Sequence, residues 1–299
     1  MTFENLFDVV FIGNYTKDTI ITPAGTKNVD GGGMNYSSHA ITALGYKAAV
    51  VTRLAKEDDH VVRRFAEDGI ACFPHYSPSS TIMRLFYPTT DPDIRELSVT
   101  GVAGSITADD VKDIHARAAV VGSSLRGEVG LDVILALREK RIPVAADMQG
   151  FVRVLRGEKL VYEPWDEMTE TLRHVDVVKS DMVEAEFLTG EKELEKAAKA
   201  YADMGPQEIV LTHRDGVLIF DHGQYHHFAF HSESLAGRSG RGDTCIGTYM
   251  ARRLDRSPRE AGKWAAAVTS LKVERLGFFN RPISEVEAFI TKYYPNGSH

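Results

Sequence analysis

Short apolar runs alternate with segments of helical period along most of this chain. Each apolar run has the length of a buried strand, and several of the helical segments end at a glycine, where helices commonly stop. Strands that alternate with helices are typical of a mostly parallel sheet covered by helices on both faces. The predicted strands are residues 7–13, 48–54, 118–122, 143–147, 175–179, 209–212 and 217–220.

The helical segments complete this pattern over one domain, residues 1–299, with no internal repeat. Between residues 147 and 175 the alternation stops, and we predict a long irregular stretch that contains Pro164 and Trp165. The predicted helices are residues 35–44, 58–68, 130–140, 182–189, 246–254 and 260–275.

Two further segments, residues 16–29 and 81–100, look extended and carry turn residues without a helical period. Alternating side chains on both sides of Asp91-Pro92-Asp93 favour a hairpin in the second segment. Because both segments interrupt early strand–helix units, we predict a small β-sheet lid made of inserts at about residues 14–30 and 73–103. Ordinary surface loops are the alternative.

Charge and composition exclude several kinds of partner. The 35 Lys and Arg residues against 42 Asp and Glu give a formal net charge of −7, without a basic run to neutralise nucleic acid. No apolar run reaches the ~20 residues of a membrane span, and no basic segment opens a secretory signal, so we expect a cytoplasmic protein. His226, His227 and His231 lack an acid or a cysteine that would complete a metal site.

A glycine-rich turn precedes the helix predicted at residues 246–254, and it reads Ser239-Gly240-Arg241-Gly242-Asp243. Glycines let the backbone approach a ligand closely, and the unpaired N–H groups of the following helix favour an anion. A carboxylate such as Asp243 is out of place there unless it takes a proton from an attacking hydroxyl group. This combination suits phosphoryl transfer to an alcohol. The alternative is that Asp243 only caps its helix.

Polar residues also follow several other predicted strands. Ligands of open α/β sheets bind beyond the carboxyl ends of the strands, so we expect these residues to meet at one edge of the sheet. Each of these residues, taken singly, could instead have only a structural role in a turn, as a helix cap or as a solvated surface residue. The residues are Asp18, Gly31, Gly32, Gly33, Asn35, Asp147, Gln149, Arg153, Lys179, Asp181 and Glu184.

The order and spacing of these motifs resemble the ribokinase-like, or PfkB, carbohydrate kinases over nearly the whole chain. One family signature appears as Gly32-Gly33-Met34-Asn35, followed by a helix that ends in Leu44-Gly45. A central family segment appears at residues 178–190, and the Thr-Gly-Ala-Gly-Asp signature appears as Ser239 to Asp243. The resemblance implies a three-layer α/β/α fold with a mostly parallel sheet and a small β-sheet lid.

The resemblance also implies a reaction, the transfer of the γ-phosphate of ATP to an alcohol of a small substrate. It implies Asp243 as the base and the N–H groups of Gly240, Arg241 and Gly242 as an anion hole. Glu184 would organise Mg²⁺ through water, because Mg²⁺ keeps several waters in such sites.

Substrate and donor contacts carry over from the family to further positions. Carboxylate and amide groups suit a polyhydroxylated ligand, and the family's substrate contacts fall on Asp18, Gly32, Gly33 and Asn35. The adenine would lie between residues 232–237 and 265–277. The donor contacts are expected at Lys179, Asp181, Thr212, Gly216, Gly240 and Gly242.

Three departures from the family pattern stand near the donor. Arg241 replaces an alanine, and Asp181 replaces an asparagine. The loop from Thr212 to Gly216 is shorter than the family loop and lacks a glycine. The short loop leaves the choice of ATP or another donor open.

The segment from Asp147 to Arg153 is similar to the Asp-x-Gln-Gly-Phe-x-Arg segment of archaeal myo-inositol kinases within this family. It favours myo-inositol or a related cyclic polyol, with Gln149 and Arg153 as substrate contacts. A nucleoside stays open because Tyr15, Phe86 and Tyr87 could stack on a base, although they could equally serve lid packing. A phosphosugar stays open because Arg84 and Arg95 could meet a phosphate.

Two other classes of protein compete with the kinase interpretation. A non-catalytic regulator that binds nucleotide or polyol would explain the departures, but an intact Asp243 argues against it. A Rossmann oxidoreductase would need Gly-x-Gly-x-x-Gly after the first strand, and none follows Gly13.

We also expect the lid to close over the substrate and exclude water. Pairing of two exposed lid edges would give a homodimer, which the sequence leaves open.

Overall fold

The computed structural model describes residues 6–89, 96–237 and 239–295. Its central strands are runs of Val, Ile and Ala because both faces of these strands are buried. Along β1 (Phe7–Ile12), Val9 and Phe11 pack into one hydrophobic cluster, and Val10 and Ile12 pack into a second cluster on the opposite face. Helices cover both clusters, so the predicted three-layer fold is confirmed.

The other strands of the large sheet are β4 (Ala48–Ala55), β5 (Ala71–Ser77), β8 (Ala116–Val121), β9 (Val144–Asp147), β12 (Val177–Asp181), β13 (Glu208–Thr212), β14 (Gly216–Asp221) and β15 (Gln224–Ala229). Their order across the sheet is β15-β14-β13-β12-β9-β8-β1-β4-β5. The pairing is parallel except that β14 runs antiparallel to β13 and β15. The carboxyl ends of the parallel strands therefore share one edge, as the sequence predicted.

Ten helices in the described part of the chain pack on the large sheet or connect its strands. No helix among these residues is long and apolar enough to cross a membrane. The helices are α1 (Gly33–Ala43), α2 (His60–Glu67), α3 (Leu131–Glu139), α4 (Gln149–Val152), α5 (Met168–Leu172), α6 (Met182–Thr189), α7 (Leu194–Ala202), α8 (Arg241–Arg253), α9 (Pro258–Val273) and α10 (Ile283–Tyr293).

A second, six-stranded sheet forms the predicted lid, and its strands are β2 (Thr16–Thr22), β3 (Gly25–Gly31), β6 (Thr81–Phe86), β7 (Glu96–Gly101), β10 (Arg153–Arg156) and β11 (Lys159–Tyr162). Their order across the sheet is β10-β11-β7-β6-β2-β3. The predicted hairpin is present as antiparallel β6 and β7, while its predicted turn at Asp91-Pro92-Asp93 lies outside the described residues. The edge strands are β3 and β10, and pairing of either edge with a second copy stays a prediction.

Two expectations about the lid differ from the structure. The stretch after residue 147, predicted to be irregular, contains α4, the β10–β11 hairpin and α5. Its strands are only four residues long, so they give little pattern, and β11 joins the lid by pairing with β7 at Ser98. The second insert was expected from residue 73, but residues 71–77 form β5 at the edge of the large sheet.

One arginine holds both ends of the β10–β11 hairpin. The Arg126 guanidinium donates to the carbonyls of Phe151 at 2.5 Å, Glu163 at 2.7 Å and Pro164 at 2.9 Å. The Arg126 N–H donates to the carbonyl of Arg153 at 2.8 Å. The loop after β8 thereby determines where Arg153 enters the lid.

A buried carboxylate in the same loop holds the connections between the lid and the large sheet. Glu128 accepts hydrogen bonds from the Ser124 N–H at 2.7 Å and from the Thr81 hydroxyl at 3.2 Å, and Asn14 also bonds to it. Thr81 begins lid strand β6, and Asn14 precedes lid strand β2. Burial raises the pKa of Glu128 to about 7, although these hydrogen bonds oppose the shift.

We expect wild-type stability to fall relative to that of Glu128→Gln as the pH rises from about 4.5 to about 7. The unfolded carboxyl ionises near the ordinary pKa of 4.5, whereas the folded one keeps its proton up to about 7. The folded state therefore binds more protons in this window, and the free energy of unfolding decreases by about 3 kcal/mol. Urea unfolding at several pH values measures the difference. The exposed variant Glu139→Gln is the control and should follow the wild type, and a constant difference for Glu128→Gln would contradict the assignment.

Candidate active site

The glycine turn before α8 has the backbone that its sequence predicts. Gly240 has a left-handed conformation with a φ of 75°, and a Cβ at this position would overlap the ring of Tyr36. Glycine meets both requirements at little cost. The first N–H groups of α8, including those of Arg241 and Gly242, have no acceptor within the helix and can bind an anion.

Asp243 lies in the first turn of α8, against the start of α1. The Ser37 hydroxyl donates to the Asp243 carbonyl at 2.7 Å, and a Cβ on Gly33 would lie 2.5 Å from Asp243 Oδ1. Asp147 lines the same cavity as Gly33 and Asp243. Burial raises the pKa of Asp243, and the Asp147 carboxylate adds to the shift while Lys179 opposes it. A raised pKa suits a carboxylate that has to take a proton.

Lys179 is buried beside the turn, near the end of β12. Its Nζ lies 3.0 Å from Asp147 Oδ2, and a Cβ on Gly242 would be 2.6 Å from it. Burial alone would lower the pKa of Lys179, but the carboxylates of Asp147 and Glu184 outweigh burial and raise it. The lysine therefore stays charged next to the N–H groups of the turn, where it can stabilise a phosphate. Its contact with a donor stays a prediction.

Sequence reasoning missed Lys272, which lies on α9. Its Nζ donates to the Gly237 carbonyl at 2.6 Å and to the Ser239 carbonyl, and it stands 5.1 Å from the centre of the Tyr36 ring. Burial lowers the pKa of Lys272 to about 8, while the charge of Asp243 opposes this shift. The signal in the sequence is a charged residue within a run of small and apolar residues.

Arg153 and Glu184 meet at the junction of β10 and α6. Arg153 Nη2 lies 3.8 Å from Glu184 Oε1. Asp181 caps α6 by accepting the Glu184 N–H at 2.8 Å, and Glu184 Oε2 accepts the Asp181 N–H at 3.0 Å. Burial raises the pKa of Glu184 to about 7, and the charge of Asp181 contributes.

These contacts leave Glu184 Oε1 and Arg153 Nε buried without a hydrogen-bond partner. An orphaned carboxylate oxygen fits a place in a magnesium site, where Glu184 would act through water.

In the parts of the chain that the structure describes, no group of three or more His, Cys, Asp and Glu residues could hold a metal directly. His227 pairs with Glu195 at 3.0 Å, and His231 stacks on Tyr293.

Asp18 and Asn35 each have a buried side-chain oxygen without a hydrogen-bond partner. Asn35 Nδ2 donates to the carbonyls of Asp30 at 3.3 Å and Gly31 at 3.4 Å, which turns its oxygen away from them. Burial raises the pKa of Asp18 to about 6, and the charges of Asp30 and Asp243 contribute. Such oxygens accept hydrogen bonds from hydroxyl groups, so both residues fit the predicted acceptor site.

Gln149 and Gly32 stand at the starts of two helices near Asp147 and Asp243. Gly32 is the N-cap of α1, and Gln149 is the first residue of α4, with a half-buried side chain. The Gln149 N–H donates to Asp147 Oδ1 at 3.1 Å, so Asp147 both binds the first N–H of α4 and pairs with Lys179. Substrate contact by Gln149 and Gly32 stays a prediction.

Thr212, Gly216 and Arg241 have contacts inside the protein. The Thr212 hydroxyl donates to the Ser180 carbonyl at 3.3 Å, and Gly216 begins β14. The Arg241 guanidinium carbon lies 5.9 Å from the centre of the Phe230 ring, within the range of a cation–π contact. Their contact with a donor stays a prediction.

The two segments expected to enclose an adenine lie directly on each other. The Gly237 N–H donates to the Val273 carbonyl at 2.8 Å, and the Glu233 N–H donates to the Glu274 carboxylate at 2.9 Å. Hydrogen bonds of this length leave no space for a base between the paired groups.

Two of the residues that supported other acceptors are buried or lie on the other face of the lid. Tyr15 is fully buried, and its hydroxyl bonds within the protein, so it cannot stack on a nucleoside. Met83 is the register partner of Asp18, and the next residue, Arg84, therefore points to the opposite face of the lid. Arg95 lies outside the described residues.

Comparison with known proteins places these features in context. A model of the pfkB family of carbohydrate kinases matches residues 7–283. The chain is similar to a pyrophosphate-dependent myo-inositol-1 kinase studied through its conversion into a myo-inositol-3 kinase. That structure has a TM-score of 0.86 and 33% identity, over 96% of this chain and 99% of that chain.

A second similar structure is a pyrophosphate-dependent kinase of the ribokinase family, complexed with a pyrophosphate analogue and myo-inositol. It has a TM-score of 0.86 and 33% identity, over 94% of this chain and 99% of that chain. Ribokinase from Arabidopsis thaliana, complexed with ribose and ATP, has a TM-score of 0.75 and 16% identity, over 95% and 98% of the two chains. The latter likeness shows the fold alone. No curated protein sequence is similar enough to count as a match.

We expect Asp243→Asn to lower phosphoryl transfer by roughly 10²- to 10⁴-fold, because the amide cannot take the proton of the acceptor hydroxyl. Thermal unfolding should occur at the wild-type temperature or above it, since the change removes a buried charge. The matched control is Asp181→Asn, whose amide oxygen can still accept the Glu184 N–H. Equal losses of turnover in the two variants would contradict a special role for Asp243.

Proposed function

This chain belongs to the PfkB family of carbohydrate kinases, and we propose that it transfers a phosphoryl group from pyrophosphate to a hydroxyl group of myo-inositol. The family match confirms the predicted kind of enzyme, a phosphotransferase with an alcohol as acceptor. The donor and the acceptor are the proposed part.

The contact between the loop at residues 232–237 and the end of α9 carries the proposed choice of donor. The hydrogen bonds from Gly237 to Val273 and from Glu233 to Glu274 occupy the position where the resemblance implied an adenine pocket. Pyrophosphate has no base or sugar and needs no such pocket. The short loop from Thr212 to Gly216 favours the same conclusion, because the family uses the longer loop for a nucleotide.

The charges at the turn fit a compact anion. The Lys179 ammonium lies against Gly242 of the turn, where it can face a phosphate, and the Lys272 ammonium adds positive charge from behind the turn, where it binds two carbonyls. A donor held by phosphate contacts alone needs such cations, because no base contributes to its binding. The similar kinases that share 33% identity with this chain are pyrophosphate-dependent.

ATP, the donor predicted from the sequence, is the second candidate. Leu235 and Leu276 are 55% and 67% exposed, on the two segments that would flank a nucleotide. Exposed apolar side chains could cover an adenine at the surface if the loop moved away from α9.

The unpaired oxygens of Asp18 and Asn35 support a polyol as acceptor, because a ring of hydroxyl groups supplies many donors at short spacing. Leu85, like Met83, shares the lid face of Asp18 and adds an apolar surface that suits the carbon ring. The segment that contains Gln149 is similar to that of archaeal myo-inositol kinases, and this similarity favours myo-inositol among the polyols as the proposed acceptor.

In the proposed step, the oxygen of the acceptor hydroxyl bonds to one phosphorus of pyrophosphate, and the bridging P–O bond breaks. Asp243 takes the hydroxyl proton, and the leaving group departs as orthophosphate. The N–H groups of Gly240 to Gly242 and the Lys179 ammonium stabilise the charge of the phosphoryl oxygens. Magnesium would supply further charge neutralisation, and Glu184 would hold it through water.

We expect pyrophosphate, myo-inositol and Mg²⁺ together to give inositol monophosphate and orthophosphate in equal amounts, measured by phosphorus NMR. ATP should give a far slower reaction, because the adenine would have to open the contact between Gly237 and Val273. Asp243→Asn is the control for contaminating activities.

The outcomes separate the two parts of the proposal. Fast transfer from ATP and none from pyrophosphate would contradict pyrophosphate as the donor. Transfer from pyrophosphate to another polyol, sugar or nucleoside, with myo-inositol inactive, would contradict myo-inositol as the acceptor. Inactivity with every donor and acceptor would favour the non-catalytic binding protein.

A further inference from the structure

A buried lysine lies behind the glycine turn, where sequence reasoning placed no charge. Lys272 is 3% exposed, and its ammonium donates to the carbonyls of Gly237 and Ser239. Both acceptors come just before Gly240, the residue with the left-handed backbone. The packing of Gly240 on the Tyr36 ring, which faces the same ammonium, completes the arrangement.

Peptide geometry connects this contact with anion binding. The carbonyl of Ser239 and the N–H of Gly240 belong to one planar trans peptide unit, so they point in opposite directions. When Lys272 holds the carbonyl on its own side, the Gly240 N–H has to point away from Lys272. That orientation is the one a phosphate-binding N–H group requires, and a cation on the carbonyl also makes the N–H a stronger donor.

The two carbonyls need a positive partner. They converge on one point, and their partial negative charges repel each other in surroundings with little water. An ammonium group supplies several donors and a full charge at that point. A monovalent cation such as K⁺ or NH₄⁺ has the same chemistry, because carbonyl oxygens bind each of these ions.

We infer that Lys272 is a positioning residue that acts as a built-in monovalent cation, holding the carbonyls of Gly237 and Ser239 so that the Gly240 turn presents its N–H groups to the transferred phosphate. The inference rests on the proposed role of these N–H groups, whichever donor the enzyme uses. It follows that the wild-type enzyme needs no added monovalent cation.

Two variants of Lys272 separate charge from volume. Lys272→Ala removes the ammonium and leaves a space next to two carbonyls, into which K⁺ or NH₄⁺ fits. Lys272→Met removes the charge but fills the space with an apolar chain of similar length. Turnover of both variants and of the wild type is measured with tetramethylammonium, which is too large for the space, and then with K⁺ or NH₄⁺ at constant ionic strength.

We expect both variants to lose roughly 10²-fold in turnover with tetramethylammonium, comparable to the loss of one anion-hole donor. K⁺ or NH₄⁺ should raise the turnover of Lys272→Ala by a large factor and leave the low turnover of Lys272→Met and the turnover of the wild type unchanged. The thermal unfolding temperature of Lys272→Ala should rise with the same ions, and this readout does not depend on activity.

Several results would overturn the inference. They are a wild-type enzyme that needs K⁺, a Lys272→Ala variant with full activity in tetramethylammonium, and an absence of rescue by any small cation in both readouts. A folded Lys272→Ala variant that is not rescued and has a raised KM for the donor would indicate direct contact with phosphate instead. A wild type that turns over neither pyrophosphate nor ATP would count against the proposed function, while the unfolding measurement would still decide the role of Lys272.

Discussion

The close approach of two helix starts, those of α1 and α8, is the constraint on which the site depends. Gly33 lies so near the carboxylate of Asp243 that no larger side chain fits without displacing it, and Ser37 binds the Asp243 carbonyl. Both helices follow glycine turns, because Gly32 before α1 has a positive φ of 97° and a side chain at Gly240 before α8 would strike Tyr36. The carboxylate is thereby held next to N–H groups that can bind an anion.

The charged side chains around Asp243 are buried as pairs of opposite charge. Asp147 pairs with Lys179, and Glu184 lies near Arg153. Each cation is held by a carboxylate on one side and can face a phosphate on the other. Removing one member would leave an uncompensated buried charge, which costs more than the pair contributes. Glu184 and Arg153 each retain a buried atom without a hydrogen-bond partner, so this part of the site keeps the capacity to bind a ligand.

The loop after β8 connects the lid to this charged region. Glu128 binds the chain where it enters the lid, and Arg126 binds both ends of the hairpin that carries Arg153. Two residues of one loop thus set the position of the lid strands and of a side chain beside Glu184. A movement of the lid would have to change these hydrogen bonds, because they join the lid strands and Arg153 to one loop of the large sheet.

The sequence by itself determined the alternation of strands and helices, the lid hairpin, the glycine turn and the place of Asp243. Each of these depends on neighbours in the chain, through periodicity, turn chemistry or the start of a helix. Only the tertiary structure decided the contacts of Lys272 and Glu128 and the existence of the β10–β11 hairpin. Lys272 binds Gly237, which is 35 positions away, and Glu128 binds Thr81, which is 47 positions away. Hydrogen bonds between such distant residues depend on how the layers pack, and a single sequence carries no local pattern that reports them.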